Sequence, residues 1–324
     1  MSKQTVFLVG ATGETGESIL RALLDDGSFE VTCFIRTASA HKPSVQRLKD
    51  KGLKVVFGEL SDSTENLANL LVGIDTVILS IFAFDVGVEA SLIQAASMAR
   101  VKRFVPCGFG TPCPRGGVMA LRDLKEVVHD QIFTLHLGYT IIDVGYWYEI
   151  SSPRVPSGKF DYAIMVPRNK VIEGGTAPNM LIAKKDVGAI TARIIKDDRT
   201  LNKRVYVCGD ILTQNEINSI VEEKTGEKLE LTNETTADVR KDLDQMNRAV
   251  QDDPSNLAHK YRLSNAQYNL SKYVRIDNTP EIAEYLGYID GRKLFPDYVF
   301  QKFSDFVNDL AAGRVQRPYP HVSL

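Results

Sequence analysis

The segment Gly10-Ala11-Thr12-Gly13-Glu14-Thr15-Gly16 lies between a short β-branched apolar run, TVFLV, and a stretch whose Ile19, Leu20, Leu23 and Leu24 recur at helical spacing. A strand that passes through glycines straight into a helix points the free N–H groups and the positive dipole end of that helix at whatever lies across the turn. That favours an anion. Gly10 permits the tight turn, Gly13 lets backbone approach a pyrophosphate with no Cβ between, and Gly16 allows the helix to pack closely on the sheet. Thr12 and Thr15 complete the set around the anion. Glu14 is an awkward neighbour for a pyrophosphate, so its carboxylate is expected to face solvent.

Glycines can also close a turn and do nothing more, and here the rest of the chain decides. Apolar runs recur as EVTCFIR (30–36), LKVVFG (53–58), DTVILSIF (75–82), KRFVPCG (102–108) and YTIIDVG (139–145), with helical patterns between them. Continuous apolar strands alternating with helices imply a parallel sheet covered on both faces. The expected fold is α/β, a doubly wound Rossmann sheet over residues 1–152, followed by a smaller, mostly helical substrate lobe over 153–324. A helix from about Asp186 and the run KRVYVCG (203–209) are expected to return to the sheet. An amphipathic helix is expected near Tyr298–Leu310.

The second strand selects the dinucleotide. A carboxylate at its end would bind a ribose 2′-hydroxyl, whereas a cation accepts a 2′-phosphate. This strand ends in Arg36 with no nearby acid in sequence, which predicts NADP(H), with Lys42 assisting. Ser80, Phe82 and Cys107, at the ends of later strands, are counted with the cofactor-binding residues.

Composition narrows the field further. The 324 residues carry 25% charged side chains and a net charge of −2, with no basic block to hold nucleic acid or an anionic membrane. No apolar run is long enough to span a bilayer, and the start carries no signal-peptide pattern, so a cytoplasmic protein is expected. The four cysteines, Cys33, Cys107, Cys113 and Cys208, follow neither a metal-ligand nor a disulfide spacing. No metal is expected, and a homodimer is compatible with a sequence that does not set the oligomeric state.

Several segments together resemble the NmrA-like, isoflavone-reductase-like family of atypical short-chain dehydrogenases. They are GATGETG, the strand ending in Arg36, VVFGEL, VKRFVPCGFG where the family has RFxPSEFG, and Lys125 on the following helix, with DNTPEIAEYLGY and LTQNEI in the second lobe. The resemblance implies an NADPH-dependent reductase of phenolic or other aromatic secondary metabolites. It also leaves open a regulator that binds NADP(H) without turnover, and a reductase-like isomerase or cyclase with no net redox change.

By the same resemblance Lys125 replaces the tyrosine acid of ordinary short-chain dehydrogenases, and it is counted with both the catalytic and the cofactor-binding residues. A lysine beside an apolar pocket has its pKa lowered and can manage a proton. A literal Tyr-x-x-x-Lys occurs at Tyr268-Asn-Leu-Ser-Lys272, but it lies so far along the chain that it reads as coincidence. The family's Ser-Glu pair is Cys107-Gly108 here, which removes a hydroxyl and a carboxylate, and Cys107 reads as a small buried hydrophobe. Tyr146, Trp147 and Tyr148 follow the sixth strand where a substrate cleft would open and are the substrate candidates, with an inter-lobe core as the alternative. His129 shares a helical face with Lys125 but reads as a surface residue.

Overall fold

A computed structural model describes residues 2–82, 85, 87–166 and 168–320. The first half alternates as the apolar runs predict: β1 (Gln4–Val9), α1 (Glu14–Asp26), β2 (Phe29–Arg36), α2 (Pro43–Asp50), β3 (Lys54–Gly58), α3 (Thr64–Leu70), β4 (Thr76–Leu79), α4 (Ala90–Met98), β5 (Arg103–Val105), α5 (Ala120–Thr134) and β6 (Thr140–Val144). Strands β3-β2-β1-β4-β5 form a parallel sheet in that order. A parallel bridge between Phe104 and Tyr139, together with Phe109 N–H to Ile142 O at 2.7 Å, carries the sheet across to β6.

The reason the strands are apolar throughout is visible in β1. Val6 and Leu8 point to one face and pack with Ile19, Leu23 and Ile190, while Phe7 and Val9 point to the other and pack with Leu67, Leu79 and Leu92. Each residue of this kind that is fully buried contributes about 1.5–3 kcal/mol. Neither face can be polar.

The chain continues as β7 (Tyr146–Trp147), β8 (Lys170–Ile172), β9 (Asn179–Ile182), α6 (Lys184–Lys196), β10 (Lys203–Val207), β11 (Asp210–Leu212), α7 (Gln214–Thr225), β12 (Thr232–Glu234), α8 (Thr236–Asp252), α9 (Leu257–Asn269), α10 (Pro280–Tyr285), β13 (Tyr288–Asp290), α11 (Gly291–Leu294) and α12 (Phe303–Ala311). α6 lies against α1, and β10 pairs in parallel with β6. β13 then pairs in parallel with β10. That last strand lies in a stretch whose sequence reads as helical, because its run is only Tyr-Ile-Asp. The last helix begins at Phe303, later than its apolar spacing suggests. Among the described residues, no helix is long and apolar enough to cross a membrane. The ends of β4, β5 and β6 open towards a cavity that α8 and α9 cover.

Candidate active site

The turn after β1 leaves no space for side chains at two of its glycines. Gly10 has φ +84°, and a Cβ there would stand 2.1 Å from Ser80 O. A Cβ on Gly16 would stand 2.0 Å from Gly10 O, so α1 packs directly on the turn. Gly13 precedes α1, is exposed, and no side chain caps the helix. The free N–H groups of the first turn therefore have no side-chain acceptor. Glu14 does not face solvent as expected: its carboxylate pairs with Lys184 and accepts the Tyr319 N–H at 3.0 Å. The acid is turned towards α6 and the C-terminal segment, away from the glycines.

Arg36 ends β2 with an exposed guanidinium, 3.9 Å from Asp85. An exposed pair at that distance holds the side chain weakly. A carboxylate absent from the local sequence does reach this crest, since Glu59 Oε1 accepts the Thr37 N–H at 3.0 Å. Lys42 immediately precedes α2, where its carbonyl accepts from Val45 and Gln46.

A cavity of about 530 Å³, with mostly apolar walls, brings together Thr15, Ser80, Phe82, Cys107, Lys125, Tyr146 and Trp147. Gly10, Thr12, Gly13, Gly16, Arg36 and Lys42 belong to the turn and crest and are not among its walls. Lys125 is only 6% exposed and donates from Nζ to Gly108 O. Burial, with Arg122 acting the same way, draws its pKa below the usual lysine value against the opposing charges of Asp143 and Glu89. Cys107 Sγ donates to Ile81 O at 3.4 Å, and burial pushes its thiol up, so it is a protonated wall residue.

Tyr148 requires a correction. After Trp147 the chain enters a 3-10 turn, Tyr148–Ile150, which swings the third aromatic out of the cavity. Tyr148 is fully buried against Phe303 and Phe306 and donates to Asp210 Oδ2 at 2.7 Å. Its place is the apolar cluster that also holds Phe160, Val221, Phe303 and Phe306. His129 requires another: it is completely buried, 3.3 Å from Glu126, and burial lowers its pKa, so the imidazole is neutral.

Beneath Lys125 lies a polar cluster that linear reading does not reveal. Arg122, on the same helix, donates to Asp143 Oδ2 and to Thr111 O, each at 2.8 Å, and Tyr288 donates to the same carboxylate. Arg204 grips Glu126 with both guanidinium nitrogens at 2.9 and 2.7 Å. Burial alone would raise the Glu126 pKa, but the bonds from Arg204, with His129 alongside, carry it well below the usual carboxylate range. Two cations and two carboxylates close the charge balance of the cluster.

Residues 2–298 match the model of the NmrA-like family, which is most of the chain. The chain belongs to the NmrA-like family. Among its relatives, asnovolin J 5′,6′-dehydrogenase of Aspergillus novofumigatus is 38% identical over 312 residues, covering 95% of each chain. Pinoresinol reductase 1 of Arabidopsis thaliana is 30% identical over 261 residues, covering 75% of this chain and 81% of its own. The leucoanthocyanidin reductase of Vitis vinifera, solved with NADPH, superposes with a TM-score of 0.79 at 20% identity, covering 95% of this chain and 99% of that one. The shared fold is the doubly wound sheet described above.

At Cys107-Gly108 the backbone runs close against β6. A Cβ on Gly108 would stand 2.3 Å from Ile142 O and 3.4 Å from Asp143 Oδ1, so no larger residue fits beside β6. Tyr268 also requires correction, because it lines the same cavity as Lys125. Tyr319 joins them, its ring stacked on Trp147 at 6.2 Å and 16°. Only long-range folding brings these tyrosines in: the Tyr-x-x-x-Lys spacing marks Tyr268 but not its place beside Lys125, and no local spacing marks Tyr319.

Proposed function

We propose that this NmrA-like protein is an NADPH-dependent reductase of a small aromatic or other conjugated secondary-metabolite substrate. The observation that carries the reading is a buried lysine in an apolar cavity that also receives Thr15 from the first turn of α1. The glycine turn fits a dinucleotide, since a cradle that a Cβ would fill lies before a helix start that no side chain caps. Gly10, Thr12, Gly13, Thr15 and Gly16 would hold the diphosphate, Arg36 and Lys42 the 2′-phosphate, and Ser80, Phe82, Cys107 and Lys125 the nicotinamide end. When bound, the reduced nucleotide supplies a hydride. Lys125 holds or delivers the accompanying proton at Nζ, while Tyr146 and Trp147 offer flat faces to a planar substrate. The apolar walls exclude water from the reacting carbon. The relatives named as reductases and a dehydrogenase support the same class.

Titration of the purified protein with NADPH and with NADP⁺, followed by nucleotide fluorescence, tests the first half. Oxidation of NADPH against a panel of aromatic ketones and enones tests the second. Binding of neither nucleotide would overturn the proposal, and binding of both with no oxidation anywhere on the panel would replace it with the regulator.

Arg36→Ala separates the two nicotinamide cofactors. A charged hydrogen bond is worth about 1.5–3 kcal/mol, so NADPH should bind roughly 10- to 100-fold more weakly, with NADH changed by no more than about threefold. Equal losses for both would remove Arg36 from 2′-phosphate recognition.

A further inference from the structure

Lys125 Nζ and Tyr268 Oη converge on one small space. A Cβ added to Gly110 would stand 3.4 Å from the first and 3.6 Å from the second, and all three residues line the cavity. Lys125 Nζ is already engaged by the Gly108 carbonyl. Among the described residues Tyr268 makes no hydrogen bond through its hydroxyl, although its ring is packed. Burial raises the Tyr268 pKa, so the phenol keeps its proton and acts as a donor. Two donors bordering a space that glycine keeps open form a receptacle for an oxygen that gains negative charge.

Tyr268 is also held firmly in place. Its ring packs against Tyr146 at 5.3 Å and 57°. Arg168 in turn donates to Tyr146 Oη at 2.7 Å, and Lys272 Nζ lies 3.4 Å from the Tyr146 ring centroid. Lys272 is completely buried on a π-helical turn, Leu270–Val274, that continues α9, a distortion frequent at functional sites. Tyr268 and Lys272 keep the spacing of a dehydrogenase pair, but Lys272 lies 6.0 Å from the Tyr268 ring centroid, and it is Lys125 that shares the space beside the hydroxyl.

We infer that Tyr268 Oη, with Lys125 Nζ beside it, binds and protonates a carbonyl oxygen of the substrate, which sets the substrate class as conjugated ketones, aldehydes or lactones. The inference rests on the reductase reading above. In the reaction a C–H bond forms at the carbonyl carbon, or at the far carbon of a conjugated C=C, as the hydride arrives. The π electrons move onto oxygen, and the Tyr268 O–H bond breaks to give that oxygen its proton. Lys125 Nζ, which borders the same space, passes its proton to the phenolate and is itself reprotonated from solvent, so the lysine remains the source of the accompanying proton. Each turnover consumes one hydride and one proton, and the nucleotide leaves oxidised.

The probe is 4-dimethylaminocinnamaldehyde, a conjugated aldehyde whose absorption moves to longer wavelength when its oxygen accepts hydrogen bonds. Added to the protein with NADP⁺, it should show that red shift, reduced in Tyr268→Phe and lost in Tyr268→Phe/Lys125→Met. Gly110→Ala, which fills the space, should lose it as well. With a reducible enone and NADPH, Tyr268→Phe should lower kcat about 10- to 100-fold at nearly unchanged KM. A red shift unchanged in Tyr268→Phe, or absent from the unaltered protein, overturns the inference. NADPH oxidation without any red shift leaves the reductase reading standing and overturns this one. A Tyr268-dependent red shift without oxidation of NADPH upholds the oxygen site and overturns the reduction.

Discussion

Lys125→Met should lower turnover by roughly 10²- to 10⁴-fold, the usual contribution of a positioned proton-transfer group, while the dissociation constant for NADPH moves by no more than about threefold. Methionine keeps an unbranched stem at the same buried position of α5, and it removes a desolvated ammonium, so the fold should not suffer. The pH profile offers a second reading. Burial draws the Lys125 pKa below the ordinary lysine range, so the ammonium present at low pH is lost at a lower pH than for an exposed lysine. If Nζ is the acid in reduction, kcat/KM should fall as pH rises through that lowered value, and this limb should vanish in the variant. A kcat unchanged by the substitution would take the lysine out of the chemistry.

Asp143→Ala should cost about 3–5 kcal/mol of folding stability, because it leaves a buried cation without its partner. Arg122 is only 3% exposed, its guanidinium donates to Asp143 at 2.8 Å, and its next charge, on Glu126, is 3.6 Å away. The loss should appear in urea as a lower midpoint at an unchanged slope. Arg122→Met/Asp143→Leu should recover much of it, since replacing both charges by apolar groups of similar size removes the desolvation cost along with the attraction. A single variant within about 1 kcal/mol of the unaltered protein would show that the pair is not the brace its burial implies.

The parts of this molecule legible in the sequence are those that depend on neighbours along the chain. Val6 to Val9 announce a doubly buried strand because every position must be apolar, and Gly10 to Gly16 announce the turn because two of its glycines have no room for a Cβ. What depends on folding at long range was not legible. Tyr268 reaches Lys125 only because α9 lies over the ends of the sheet strands. Tyr148 reads like its neighbours Tyr146 and Trp147, yet a single 3-10 turn takes it away from the cavity that both of them line. His129 shares a helical face with Lys125, but nothing in its spacing reports that Arg204 of β10 engages the Glu126 carboxylate beside it. Gly108 looks like part of a lost functional pair, and only the fold shows that its backbone lies against Ile142 of β6 with no room for a Cβ.

The pairing of β13 with β10, and of β10 with β6, has a consequence for biosynthesis. The outermost strand of the sheet is encoded at Tyr288–Asp290, so a nascent polypeptide cannot complete this sheet until the residues through Asp290 have emerged from the ribosome. During that interval the apolar TIIDV strand presents an unpaired edge, the template on which unfinished chains associate. Fragments that stop before Lys203 should therefore accumulate as insoluble material, and the nucleotide-binding half should prove hard to isolate alone.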